Sequence, residues 1–86
     1  MMMRSTRFQM RVVLTEHAKA RMVERDLSPA LILDIIDNGM QKEAGGPHYW
    51  LFKHFPDRPD NLLCVAAVVE NDLVVKTVMH HWEPQP

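Results

Sequence analysis

The chain has 86 residues, 47% of them apolar, which is enough for one small domain with a single core but not for two domains. Ten Lys and Arg residues oppose eleven Asp and Glu residues, so the formal net charge is −1. This balance excludes a general polyanion binder, because sequence-independent affinity for nucleic acid depends on an excess of basic residues. Any contact with nucleic acid must therefore come from a local basic patch.

The single cysteine and the lack of a long apolar stretch indicate the compartment. Cys64 lies in the apolar residues 62–69, which excludes an intramolecular disulfide and predicts a buried, unreactive thiol. No stretch approaches the ~18 apolar residues of a membrane span, and the N-terminus lacks the apolar segment of a signal peptide. We therefore expect a cytoplasmic protein with no membrane contact.

The N-terminal part of the chain contains an unpatterned segment, a short strand and a helix. Residues 1–9 show no hydrophobic periodicity and are predicted to be a flexible arm, whereas residues 10–86 form a single α+β domain. Residues 10–14 contain two β-branched valines and predict an edge strand. Residues 15–25 predict a helix with Thr15 as its N-cap, because they lack Gly and Pro.

One stripe of this first helix carries three side chains that suit an anion. At about 100° per residue, His17, Arg21 and Arg25 fall on the same side of the helix. An imidazole and two guanidiniums together suit a phosphodiester. The alternative is an ordinary solvated face, in which both arginines pair with nearby carboxylates and the histidine packs locally.

The second predicted helix is mostly apolar. Ser28 is its expected N-cap and Pro29 its first residue, where a missing N–H costs nothing. Gly39 is expected to end it in the left-handed conformation. The helix must be largely buried, because apolar residues cover most of its circumference: Leu31, Ile32, Leu33, Ile35 and Ile36.

From residue 40 onward the hydrophobic period changes from about 3.6 to 2, which indicates strands. The predicted strands are residues 40–44, 48–55, 62–70 and 73–83. A polar loop with two prolines separates the second from the third, and the two-residue link Asn71-Asp72, in positive φ, closes a hairpin. The predicted fold is α+β, with two N-terminal helices packed on one face of a three- to four-stranded antiparallel sheet.

This hairpin defines two faces of the predicted sheet. It pairs Glu70 with Leu73 and predicts a core face that carries Leu51, Cys64, Ala66, Val68, Val75, Thr77 and Met79. The opposite face then holds the candidate nucleic-acid or partner-binding residues, which are Trp50, Phe52, His54, Lys76 and Trp82, together with His80. Aromatic rings interleaved with cations can stack bases and hold phosphate. A homodimer interface, a ligand platform and cover by the N-terminal arm all remain possible for this face.

The helical segment resembles a known bacterial family. The run His17-Ala18-x-x-Arg21-Met22-x-x-Arg25-x-Leu27-Ser28, followed by Ile35-Ile36 and Gly39, resembles domain of unknown function 4258, and the resemblance extends over residues 15–83. That family is similar to the RelE/ParE-like superfamily of small toxins and ribonucleases. The resemblance implies a RelE-like fold and metal-independent RNA cleavage, with the catalytic role falling on His17, Arg21, Arg25, Thr77 and His80.

Two classes of function follow. Metal-independent RNA cleavage needs a base, an acid and cations that stabilise the charged phosphorane, which histidine and arginine provide. Neither a metal nor another cofactor is expected, because no Cys pair or His-x-x-x-His spacing occurs and His80 and His81 should point to opposite faces of their strand. The first class is an RNA-cleaving or RNA-binding toxin component that acts with a cognate antitoxin. The alternative is a non-catalytic homodimeric protein-interaction module.

Overall fold

The computed structural model describes residues 3–84, which form two helices and one six-stranded sheet. In chain order the elements are β1 (Met3–Ser5), β2 (Met10–Leu14), α1 (Glu16–Arg25), α2 (Pro29–Asn38), β3 (Met40–Glu43), β4 (His48–Lys53), β5 (Leu63–Val69) and β6 (Leu73–Met79). Among these described residues, neither helix is long and apolar enough to cross a membrane.

The sheet order corrects the predicted architecture. The strands run β1-β2-β6-β5-β4-β3, with β2 parallel to β6 and the other neighbours antiparallel. The predicted RelE-like arrangement, with two N-terminal helices packed on one face of a three- to four-stranded antiparallel sheet, is therefore wrong. The sheet has six strands and is mixed, and two strands precede the helices. From β2 the chain passes through both helices and then through β3, β4 and β5. The last strand, β6, lies beside β2.

Strand β1 lies within the segment predicted to be an arm, of which residues 1 and 2 fall outside the described part. Its residues pair with β2, and Ser5 is completely buried. The Ser5 hydroxyl donates to an Asp37 carboxylate oxygen at 2.6 Å and accepts from the Phe8 N–H at 3.0 Å. The local hydrophobic pattern does not indicate this strand, because the Asp37 side chain that binds it lies far away in the sequence.

Both predicted N-caps are confirmed. The Thr15 hydroxyl accepts from the Ala18 N–H at 3.0 Å, and the Ser28 hydroxyl accepts from the Leu31 N–H at 3.1 Å. Helix α1 ends at Asp26, whose φ of 55° places it in the left-handed region. These caps fix where each helix begins and therefore which side of it is buried. The buried side of α2 packs against the sheet through Ile32, Ile35 and Ile36.

Gly39 ends α2 for a different reason from the one predicted. Its φ of −78° and ψ of 177° are extended, not left-handed. A Cβ at this position would lie 2.5 Å from the Ile35 carbonyl oxygen and 2.6 Å from the Phe52 carbonyl oxygen. Glycine is needed here because the end of α2 and the backbone of β4 approach too closely for a side chain.

The predicted facing of β5 is also wrong. The main core cluster contains Leu51, Leu63, Val65, Ala67, Leu73, Val75 and Val78, so Cys64, Ala66 and Val68 lie on the opposite side. The link between β5 and β6 has three residues, because Val69 pairs with Leu73. Positive φ among the described non-glycine residues is confined to Gln9, Asp26 and His81, so Asn71 and Asp72 do not form the expected turn.

A β-bulge then changes the facing of β6. Ala67 pairs with Val75, but Ala66 pairs with Thr77, so Lys76 is an extra residue on β6. Thr77 consequently leaves the core side and joins what we call the outer face, the side of the sheet away from α2: Trp50, Phe52, Cys64, Ala66, Val68, Thr77 and Met79. The bulge thus makes Thr77 available to a group approaching from the edge of β6.

The C-terminal tail covers part of the outer face. The Trp82 N–H donates to the Leu62 carbonyl at 3.0 Å, and the Trp82 ring centroid lies 5.2 Å from that of Trp50 and 4.8 Å from that of Phe52. Beside them Cys64 is buried, and this burial raises the pKa of its thiol to about 12. The thiol is therefore protonated near neutral pH and unsuited to nucleophilic attack.

Candidate nucleic-acid interface at the end of strand β6

Helix α1 lies along the edge of β6 where β2 ends. The last β2 pairing is Leu14 with Val75, and beyond it the helix supplies hydrogen-bond donors to the β6 backbone. The Thr15 hydroxyl donates to the Lys76 carbonyl at 3.1 Å, and Arg25 Nη1 donates to the Val78 carbonyl at 3.0 Å. The histidine and arginine stripe of α1 is therefore held against β6.

His17 and Thr77, both predicted as catalytic on the strength of the family resemblance, are in contact. His17 Nε2 lies 3.1 Å from Thr77 Oγ1, and His17 is exposed to solvent. The contact depends on the bulge at Lys76, which turns Thr77 towards the outer face. The imidazole therefore remains accessible to a ligand at this edge of the sheet.

The two arginines of the stripe have different environments. Arg21 forms an ion pair with Glu24 one turn along the helix, as the solvated-face interpretation predicted. Its Nε is buried and has no hydrogen-bond partner among residues 3–84. Arg25 binds the Val78 carbonyl instead of a carboxylate, so its charge is not neutralised by an ion pair within the described residues. Arg25 is thus the stronger candidate for an anion ligand.

Arg25 also lines a pocket of about 430 Å³ that joins α1 to the aromatic tail. The other lining residues are Trp50, Met79, His80, His81, Trp82 and Glu83. Ligand sites commonly have volumes of roughly 300–1,000 Å³, so this pocket is large enough for a small organic group. Arg25, the last residue of the helix stripe, thus meets the aromatic surface here, whereas His17 and Arg21 do not line the pocket.

Both histidines after β6 line this pocket with their rings close together, contrary to the prediction that they point to opposite faces. Strand β6 ends at Met79, so the alternation of a strand does not apply to the next two residues. His81 has a φ of 52°, and its ring centroid lies 4.7 Å from that of His80. The sequence predicts a strand that continues to residue 83, and this excess length is why His81 was not predicted as a site residue.

A carboxylate orients His80. Its Nδ1 lies 3.0 Å from Asp60 Oδ2, and Asp60 in turn accepts two hydrogen bonds from Arg58 at 2.9 Å each. The Arg58 guanidinium holds the pKa of Asp60 well below its usual range, although burial opposes the shift, and the His80 hydrogen bond acts in the same direction as Arg58. An ionised Asp60 favours the His80 tautomer with a proton on Nδ1, which leaves Nε2 as a proton acceptor.

Arg58 also binds the end of α1. Its Nη1 donates to the Asp26 carbonyl at 2.9 Å, and its Nη2 donates to the Arg25 carbonyl at 2.8 Å. Arg58 therefore sets the spacing between the Arg25 side of the pocket and the His80 side. The sequence predicts only a polar loop here, and the one signal of these contacts is the pair of opposite charges that flanks Pro59.

The remaining predicted binding residues have separate surroundings. Trp50 and Trp82 line the pocket, whereas Phe52 is buried beneath Trp82. Lys76 is exposed at the bulge, with its Nζ 4.0 Å from the Glu70 carboxylate. His54 is exposed beyond the end of β4 and does not line the pocket. Within the described part of the chain, no group of three or more His, Cys, Asp or Glu side chains is arranged to hold a metal ion.

Comparison with known proteins identifies the family. The family described as "Domain of unknown function (DUF4258)" matches residues 14–80, well over half of the chain, and the protein therefore belongs to it. No curated protein and no solved structure matches this sequence. The matched region begins at Leu14, the last residue of β2, and ends at His80. It therefore includes Arg25, Arg58 and Asp60, but it does not include His81 or Trp82.

Proposed function

We propose that this protein binds RNA at the β6 pocket and cleaves it without a metal ion. The observation that carries the proposal is that Arg25, His80 and His81 line one pocket and that the two imidazole rings lie 4.7 Å apart. A cation and two groups able to exchange protons are the parts that this reaction requires. The protein need supply no nucleophile, because the attacking oxygen belongs to RNA.

In the proposed reaction, His80 is the general base. It removes the proton from a ribose 2′-hydroxyl as that oxygen attacks the adjacent phosphorus. The Asp60 carboxylate, 3.0 Å from Nδ1, stabilises the imidazolium that forms. Arg25 donates hydrogen bonds to the non-bridging oxygens as negative charge builds on the phosphorane.

His81 is the general acid of the same step. As the O2′–P bond forms, the P–O5′ bond breaks, and the leaving 5′-oxygen takes a proton from His81. The products are a 2′,3′-cyclic phosphate and a 5′-hydroxyl, and the two histidines exchange protonation states. The ring centroids of His80 and His81 lie 4.7 Å apart, so both imidazoles can contact the same phosphate group.

The His17 and Thr77 pair contacts a neighbouring part of the bound strand. Thr77 precedes His80 by three residues, which is roughly 10 Å along an extended backbone. His17 also does not line the pocket that holds His80. We therefore assign His17 a role in binding the adjoining phosphate, while proton transfer takes place between His80 and His81.

Cleavage of labelled single-stranded RNA in EDTA tests the proposal. The His80→Asn and His81→Asn variants should each lose about 10²–10⁴-fold in rate, the usual contribution of a general acid or base. Asparagine tolerates the positive φ at position 81, so this variant should keep the fold. The matched control is His54→Asn, because His54 is exposed outside the pocket. An inactive wild-type protein, or a His80→Asn variant with full activity, would refute the mechanism.

Three wider features belong to the same proposal. They are a relation to the RelE/ParE-like superfamily, a role as a toxin with a cognate antitoxin, and a cytoplasmic location. The first two are supported by the resemblance of residues 15–83, and the third by the lone buried thiol of Cys64. Growth arrest on expression, relieved by His80→Asn, is the expected result for a toxin.

The homodimeric interaction module stays the alternative prediction. Its main support was an uncovered aromatic surface, and Trp82 covers part of that surface from within the same chain. Sedimentation separates the two functions. A dimer that Trp50→Glu dissociates, together with intact RNA, would favour the interaction module over the ribonuclease.

A further inference from the structure

We propose that the β6 pocket binds one unpaired nucleobase against the indole rings of Trp50 and Trp82, with the attached phosphate at Arg25. The inference rests on the proposed function and specifies its substrate as single-stranded RNA. It concerns recognition, so binding measurements test it separately from cleavage.

The two indole rings form a corner on the outer face. Their planes meet at 81°, and their centroids lie 5.2 Å apart. Phe52 supports Trp82 from below, at a tilt of 41°, and Trp50 remains partly exposed. A flat heterocycle can stack on one ring while it contacts the edge of the other, and such stacking accepts any base because every base has a π face.

Arg25 provides the complementary charge beside this corner. Its guanidinium has one hydrogen-bond partner among residues 3–84, the Val78 carbonyl, which engages Nη1. The remaining N–H groups can therefore bind an anion in the pocket. Since Arg25, Trp50 and Trp82 all line the same 430 Å³, a base on the rings places its own phosphate near the guanidinium.

The character of the lining favours a nucleotide over a protein side chain. Met79 is the one aliphatic residue in the described lining, while the others are aromatic, imidazole or charged. Glu83, an exposed carboxylate, repels a second phosphate at that rim. The pocket therefore suits the insertion of a single nucleotide, and it does not suit a long phosphate backbone running across Glu83.

Duplex nucleic acid does not fit this arrangement. Both faces of a paired base are covered by its neighbours in the stack, so no face is available to an indole ring. The net charge of −1 also provides no broad basic surface along which a duplex could be held. Stacking on exposed aromatic rings is the usual way in which proteins bind single strands.

Fluorescence provides a direct test, because the chain has two tryptophans and both line the pocket. The probe is a 10-nucleotide single-stranded RNA carrying 2′-O-methyl groups, which blocks the proposed attack. We expect saturable quenching by this RNA, and binding at least about 10-fold weaker to its duplex and to inorganic tripolyphosphate. Anisotropy of labelled RNA should show about a 10-fold loss of affinity in both Trp50→Leu and Arg25→Gln.

Arg4→Gln is the matched control, because Arg4 is exposed on edge strand β1 and should not affect binding. Circular dichroism establishes that each variant is folded. Equal affinity for the duplex, or unchanged affinity in a folded Trp50→Leu variant, overturns the inference. Single-strand binding without cleavage refutes the ribonuclease mechanism but supports this pocket. Cleavage that Trp50→Leu leaves unaffected supports the mechanism and refutes the pocket.

Discussion

The Ser5 hydroxyl lies 2.6 Å from an Asp37 carboxylate oxygen, and this contact ties the N-terminal hairpin to the last turn of α2. Among the residues that the structure describes, Ser5 is the one buried residue with a polar side chain. The same carboxylate also accepts from the backbone N–H groups of Thr6 and Arg7, each at 3.3 Å. Removing either partner should therefore loosen the edge of the sheet.

Ser5→Ala should lower the free energy of unfolding by about 1–3 kcal/mol, because a buried hydrogen bond to a charged group is lost. Urea unfolding followed by tryptophan fluorescence measures the effect. Thr6→Ala is the control, since it removes an exposed hydroxyl bonded to the same carboxylate and should cost about 0.5 kcal/mol. Equal losses in the two variants would show that burial of Ser5 is unimportant.

The Asp37 carboxylate should also make stability depend on pH. Burial alone would raise the pKa of Asp37, but the hydrogen bonds from Ser5, Thr6 and Arg7 outweigh it and hold this pKa below its usual value. The contribution is then complete above the unfolded pKa of about 3.9 and is lost as pH falls through the folded value. Asp37→Asn should therefore lower the urea midpoint at pH 7, and the difference should shrink in acid.

Asp57→Asn is the control for this pH series, because Asp57 is exposed and has no partner among the described residues. Its urea midpoint should follow that of the wild type at every pH. A gap between Asp37→Asn and the wild type that stayed constant down to pH 2 would contradict the role of carboxylate ionisation.

Gly39→Ala should destabilise the domain by about 1–3 kcal/mol or more, the usual cost of overpacking. The added methyl group would meet the Ile35 and Phe52 carbonyl oxygens, and both belong to backbone that cannot move independently. Thermal unfolding measures the loss. Gln41→Ala, an exposed change on β3, should be nearly neutral. A stable Gly39→Ala variant would mean that α2 and β4 can separate at little cost.

Asp60→Asn should reduce kcat for RNA cleavage by about 10-fold or more while leaving KM unchanged, because Asp60 positions His80 without touching substrate. Arg58→Lys should have a similar but smaller effect, since lysine cannot form the two parallel hydrogen bonds to Asp60. Arg7→Lys, on an exposed turn, is the control. A loss confined to KM, or none in a folded Asp60→Asn variant, would exclude the positioning role.

Features encoded within a few residues were predictable. Thr15 and Ser28 begin their helices as expected, because an N-cap acts on an N–H three residues away. The convergence of His17, Arg21 and Arg25 on one helix stripe depends only on helical geometry. These signals located one side of the candidate site.

Features that depend on distant partners were not predictable. Strand β1 depends on Asp37. The facing of β5 relative to β6 depends on a three-residue link, and the facing of Thr77 depends on the bulge at Lys76. The Arg58 contacts with Asp60 and with the end of α1 arise in a loop whose composition suggests only a connection. His81 lies in the site because its positive φ turns the chain after β6. The hydrophobic periodicity of the sequence gives no sign of that turn.

The parallel pairing of β2 with β6 has a consequence for how the protein is made. Strand β2 is synthesised before both helices and before β3 to β5, yet its parallel partner β6 is the last strand of the domain to be made. The nascent chain therefore carries an unpaired edge of β2 until β6 has been synthesised, and such edges are prone to aggregation. Closure of the sheet and assembly of the β6 pocket then become a single late event.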